Sequence, residues 1–129
     1  MFGRVLIANR GEIACRIFRT CHRMGIETVA VTSTVDVQAP HARMATQSLC
    51  IGPAPAHESY LHMDRILEAM QISGAQALHP GYGFWSENAV MAQRVVDEGF
   101  VWLGPPADVV RLLGDKLASK QAAQQAGMT

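Results

Sequence analysis

A chain of 129 residues with 49% apolar side chains is one domain by size and can bury a real core. Its 11 Lys and Arg are balanced by 11 Asp and Glu, which argues against nucleic acid or a membrane surface as the main partner. No run approaches the roughly 20 apolar residues of a membrane span, and "MFGRVLIANRGE" lacks the pattern of a secretory leader. The expected compartment is the cytoplasm, with a mitochondrial matrix protein stripped of its transit peptide as the alternative.

In chain order, "RVLIA" (Arg4 to Ala8) and "ETVAVTS" (Glu27 to Ser33) are short, β-branched and apolar, as strands covered on both faces tend to be. Between them Ile13, Ile17, Cys21 and Met24 recur at helical spacing, beside Ala14 and Phe18, and Gly25 supplies the stop. A turn-rich segment containing Asp36 and Pro40 leads to a third short strand, "SLCIG" (Ser48 to Gly52). After Pro53 and Pro55 the pattern predicts a helix from about Leu61 to Ser73, ended by Gly74. "AQALH" (Ala75 to His79) is a fourth strand, followed by the loop "HPGYGFWSEN", a helix from about Glu87 to Glu98 and a fifth strand, "FVWLG" (Phe100 to Gly104). Pro105 and Pro106 start a short helix through Leu113, and "DKLASKQAAQQAG" is rich in helix formers up to Gly127. This alternation predicts an α/β fold: an open parallel sheet of about five strands, right-handed crossovers and helices on both faces. Ligands approach such sheets at the carboxyl ends of the strands, where "NRGE" and "GYGFWSE" both lie. The stop at Thr129, just past a helix-ending glycine, reads as one lobe of something larger.

The loop after the first strand fails as a dinucleotide fingerprint, because only Gly11 of the three required glycines is present. Asp36 could imitate an acidic ribose partner, but an Asp in a turn more often caps its own backbone. Arg10 and Glu12 could form an ion pair bracing neighbouring loops. Arg16, Arg19 and Arg23 make one stripe of the first helix, by default a solvated face and more sharply a contact with another domain or subunit.

In the loop after the fourth strand, Gly81 and Gly83 permit positive φ and close backbone approach, and Pro80 stiffens the strand exit. Ser86 reads as a helix N-cap, with Glu87 in the first turn. Phe84 and Trp85 are assigned to packing, and Tyr82, with its hydroxyl, to a ligand pocket. The five histidines are scattered without metal-ligand spacing, and His79 reads as a structural histidine. Cys15, Cys21 and Cys50 are read as reduced, buried thiols. Lys116 and Lys120 are ordinarily solvated, although a lysine beside a backbone turn is also a common phosphate partner. These residues give a binding edge but no complete catalytic set.

Taken together, "VLIANRGEIACRI", "CIGPAPAHESYL", "HPGYGFWSENA" and "LGDKLASKQAAQQAG" stand in the order and spacing of a known family. The chain resembles, over essentially its whole length, the amino-terminal domain of biotin carboxylase, which opens acetyl-CoA, propionyl-CoA, methylcrotonyl-CoA and pyruvate carboxylases. The resemblance implies a pre-ATP-grasp, Rossmann-like domain over residues 1–114, with 115–129 beginning the connection to an ATP-grasp domain. It implies an ATP-dependent ligase, in which MgATP and bicarbonate give carboxyphosphate and the carboxyl group passes to biotin on its carboxyl carrier protein. The other implied partners are the ATP-grasp remainder, a carboxyltransferase and a second copy in a homodimer. By the same resemblance Lys116 contacts ATP, Tyr82 and Gly83 face the biotin side, and Arg16, Arg19 and Arg23 meet the subunit partner. Three features depart from the family: Thr46 and Gln47 replace a common Asp-Glu pair, Trp85 a usual leucine, and Arg23 a frequent glutamate. The Mg2+ ligands and most of the ATP site belong, in the family, to sequence beyond residue 129, so the isolated chain is expected to be inactive. The alternative is a freestanding non-catalytic domain that binds a nucleotide or a carboxylase subunit.

Overall fold

The fold is described from a computed structural model, which places residues 3–81, 85 and 88–104. Five strands, β1 (Arg4–Ile7), β2 (Glu27–Ser33), β3 (Gln47–Gly52), β4 (Ala77–His79) and β5 (Val101–Trp102), form one sheet. The strand order is β3-β2-β1-β4-β5 and every pairing is parallel. Such pairing needs crossovers, which the helices α1 (Gly11–Arg23), α2 (Pro40–Met44), α3 (Met63–Ser73) and α4 (Ala89–Asp97) supply.

The central strand β1 shows why the apolar runs lack polar alternation. Leu6 and Ala8 lie in one core with Val29, Val31, Leu78 and Trp102, packed against Ile66 and Met70 of α3 and Met91 and Val95 of α4. Val5 and Ile7 lie in a second core with Ala30 and Ala77, packed against Ala14, Phe18 and Cys21 of α1. Both faces are therefore covered, and Leu6, Ile7 and Val29 are fully buried.

The helix ends differ from expectation in two places. α4 starts at Ala89, and its N-cap is Asn88, whose side chain accepts the Met91 N–H at 2.9 Å, so the cap lies two residues beyond Ser86. The segment holding Asp36 and Pro40 is not only turns, because Pro40 opens the short helix α2 at a first-turn position where a missing N–H costs nothing. α3 ends at Gly74, whose φ of 70° is the left-handed cap that glycine supplies without strain.

Candidate functional site

The strand order creates a crevice between β1 and β4, at their carboxyl ends. Going outward from β1, the chain turns into α1 on one face of the sheet; from β4 it turns into α4 on the other. Neighbouring loops that depart in opposite directions leave a gap, and in open parallel sheets that gap is where ligands bind. Its walls are Asn9 and Arg10 after β1 and Pro80 and Gly81 after β4, because Ile7 pairs with His79 in register.

The β1 wall is held by a buried amide. Asn9 is 4% exposed; its Oδ1 accepts the Arg10 N–H at 2.8 Å and its Nδ2 donates to the Pro80 carbonyl at 3.0 Å. Gly81 adopts φ +66°, and a Cβ there would lie 2.7 Å from Asn9 Nδ2, so both the backbone angle and the space demand glycine. The Gly81 N–H donates to His79 Nδ1 at 3.0 Å, and burial lowers the His79 pKa, which keeps the ring neutral and able to accept.

Beside the crevice, Arg10, Asp36 and Tyr60 form a second polar cluster. Tyr60 is fully buried and its hydroxyl donates to Asp36 Oδ2 at 2.7 Å while accepting the Ser33 N–H at 3.2 Å. Ser33 Oγ donates to the same carboxylate oxygen at 3.2 Å, and Arg10 pairs with it at 3.5 Å while lying 5.1 Å from the centroid of the Tyr60 ring. The Tyr60 hydrogen bond, outweighing the opposing desolvation, lowers the Asp36 pKa, and burial pushes Tyr60 up to about 12. Asp36 is thus committed to protein partners, and the ion pair that braces the loops joins Arg10 to Asp36. Glu12 instead pairs with Arg19 at 3.3 Å. A cavity of about 350 Å³ lies between this cluster and the start of α1, bordered by Cys15 and His41.

Trp85 packs in the core at 6% exposure, as its assignment to packing required, and its Nε1–H donates to the Tyr60 carbonyl at 2.7 Å. Tyr60 and Asn9, the residues that tie the loops together, were not singled out by the sequence. Both sit at element ends, where no periodicity marks them; the adjacency of Asn9 to a strand terminus was the only signal. His41, also buried, donates from Nε2 to the Val31 carbonyl at 3.1 Å. Thr46 and Gln47 stand in the sheet margin: Thr46 exchanges hydrogen bonds with Thr28 through both hydroxyls, and Gln47 Oε1 accepts from Arg4 at 3.4 Å.

Arg16, Arg19 and Arg23 are exposed on α1, as the stripe predicted. They rim an open groove of about 620 Å³ that runs from α1 to the ends of β4 and β5, floored by Ile17, Ile26 and Leu103. Of the thiols, Cys15 and Cys21 are buried, with pKa values raised by that burial, whereas Cys50 is exposed on the edge strand β3, contrary to expectation. An edge strand lacks a neighbour on one side to cover such a side chain. Tyr82, Gly83, Phe84, Ser86 and Lys116 lie outside the described residues. Among the described residues no three His, Cys, Asp or Glu side chains converge as metal ligands, and no helix is long and apolar enough to cross a membrane.

Residues 1–110 match the family described as "Biotin carboxylase, N-terminal domain". The chain is 52% identical over 128 residues to biotin carboxylase of Pseudomonas aeruginosa, covering 99% of itself and 28% of that protein. It is 50% identical over 125 residues to the mitochondrial propionyl-CoA carboxylase alpha chain of Homo sapiens, covering 97% of itself and 17% of that protein. Among solved structures it is similar to the biotin carboxylase domain dimer of Hydrogenobacter thermophilus 2-oxoglutarate carboxylase, in complex with MgADP, ADP and bicarbonate. The TM-score is 0.87 at 43% identity, covering 98% of this chain and 28% of that one. The chain therefore spans under a third of the length of each of these relatives.

Proposed function

The chain belongs to the biotin carboxylase N-terminal domain family, and on that premise we propose that it forms the sheet-edge wall of an ATP-dependent ligase that carboxylates biotin. The observation that carries this reading is the crevice between β1 and β4, walled by Asn9, Arg10, Pro80 and Gly81; Tyr82 and Gly83 follow Gly81 directly in the sequence. In this reading Tyr82 and Gly83 face biotin, and Lys116 contacts the phosphates of ATP. Residues 1–114 are the domain proper, and 115–129 begin the connection to an ATP-grasp domain. By the family resemblance, the carboxylates that hold Mg2+ belong to sequence beyond residue 129. The partners in this reading are the ATP-grasp remainder, a biotin carboxyl carrier protein and a carboxyltransferase. Arg16, Arg19 and Arg23 present α1 to a second copy. The compartment is the cytoplasm, or alternatively the mitochondrial matrix; the human relative is a mitochondrial chain.

The test is transfer of labelled bicarbonate to biotin in the presence of MgATP, comparing the full-length protein with the 129-residue chain. Activity in the former only is expected. Lys116→Gln should raise the KM for ATP, and Tyr82→Ala the KM for biotin. A full-length protein that binds nucleotide but fixes no bicarbonate would instead favour a non-catalytic binding domain.

A further inference from the structure

Pro80 and Gly81 leave the sheet through an exit gripped from three directions. From below, the Ala8 N–H donates to the His79 carbonyl at 2.9 Å and the Leu103 N–H to the Leu78 carbonyl at 2.9 Å, so β4 is tied to its last residue on the β1 side and to Leu78 on the β5 side. From the β1 side, Asn9 Nδ2 donates to the Pro80 carbonyl, and its amide lies where a Gly81 side chain would have to go. From the β5 side, Gly104 approaches the Pro80 ring so closely that a Cβ there would lie 3.1 Å from Pro80 Cγ. The remaining freedom is rotation about Gly81, and the His79 ring removes it by accepting the Gly81 N–H at 3.0 Å.

We infer that His79 and Asn9 are positioning residues, which fix the Gly81 backbone and thereby aim the following Tyr82–Gly83 segment at the biotin-side site. The inference rests on the function proposed above for that loop. A backbone N–H only donates, so His79 must present an unprotonated Nδ1 and carry its ring proton on Nε2. Protonating the imidazole turns Nδ1 into a donor that faces another donor, and the grip on Gly81 is lost. The groups that share the α1 groove with His79 are Arg16, Arg19, Arg23 and the Cys21 thiol, and no carboxylate is among the described residues lining it. All the charged ones are cations, so no carboxylate there favours a protonated ring, and burial lowers the His79 pKa.

The test has two arms. In the 129-residue chain, ring-nitrogen NMR should show the Nε2–H tautomer of His79, and the protection factor of the Gly81 amide should fall as the imidazole is titrated with acid. A ring protonated on Nδ1, or a Gly81 protection factor that stays flat while His79 titrates, overturns the inference. In the full-length carboxylase, His79→Leu should lower kcat/KM for biotin by roughly tenfold to a hundredfold. The KM for ATP should stay unchanged. His79→Asn, whose Oδ1 takes the place of Nδ1 as acceptor, should restore most of the loss and remove its acid-side pH dependence. If His79→Leu does not fold, His79→Gln, which keeps an amide but displaces the acceptor, is read in its place. Equal losses in the Asn and Leu variants, or equal effects on ATP and biotin, would reduce His79 to a structural residue. A full-length protein with no biotin carboxylation at all would sink the proposed function, whereas the Gly81 amide readout judges the positioning contact by itself.

Discussion

Tyr60 ties several parts of the site together, since its hydroxyl, ring and backbone carbonyl serve Asp36 and Ser33, Arg10, and Trp85 respectively. Tyr60→Phe keeps the ring but leaves the buried Ser33 N–H without its acceptor and Asp36 without its closest donor, and should cost about 2 kcal/mol in chemical denaturation. The sign of its pH effect follows from the raised pKa of about 12. Below pH 10 the contribution is fully present; between about 10 and 12 the unfolded phenol ionises while the folded one does not, so stability falls as pH rises. The Phe variant should lack that alkaline limb. Asp36 acts at the other end: its lowered pKa gives stability above the ordinary carboxylate range that is lost as pH falls through the folded value. Thr32 is the contrary case, with a buried hydroxyl that has no hydrogen-bond partner among the described residues. Thr32→Val removes that unpaired group at nearly constant shape, so thermal melting should show a stability unchanged or raised by about 1 kcal/mol.

The elements are braced where they meet, and Trp85 is the main brace between the loop after β4 and the turn that carries Tyr60. It fills core volume against α3 and α4 and spends its one donor on the Tyr60 carbonyl. Trp85→Leu would shrink the packing and orphan that carbonyl. We expect a loss of about 3 kcal/mol, measured as a lower denaturation midpoint with unchanged slope. A cost near zero would mean that the loop repacks and that Tyr60 needs no tie from this side. The Asn88 cap of α4 belongs to the same scale. The sequence reading put the cap at Ser86, whereas the structure puts it at Asn88, whose side chain accepts the N–H of Met91 where the buried face of the helix begins.

For the whole molecule, the arginine stripe raises the question of assembly. Arg19 pairs with Glu12 in an exposed contact that is worth little, and the groove beside the stripe has no described carboxylate on its walls. In the proposed dimer these cations meet the second copy, so Arg19→Glu should weaken dimerisation of the full-length protein by roughly tenfold or more in sedimentation. Unchanged assembly would return the stripe to the role of a solvated face.

The alternation of apolar runs with helical periods was enough by itself to determine an α/β chain with a parallel sheet, because only strands buried on both faces tolerate "RVLI" and "TVAV" without polar alternation. The four motifs in register determined the family by the same means. The exposed stripe on α1 and the packing role of Trp85 were also legible, since helical spacing and side-chain size are local properties. The tertiary structure alone decided which polar groups meet. Asp36, 24 residues from Tyr60 and on another element, becomes its acceptor rather than a partner for a ligand. Arg10 turns to Asp36 and not to the nearby Glu12, and Asn9 reaches Pro80 across 71 residues of sequence. Such pairings are fixed by strand order and by the desolvation that makes each buried polar atom find a partner, and neither is written in the spacing of residues along the chain.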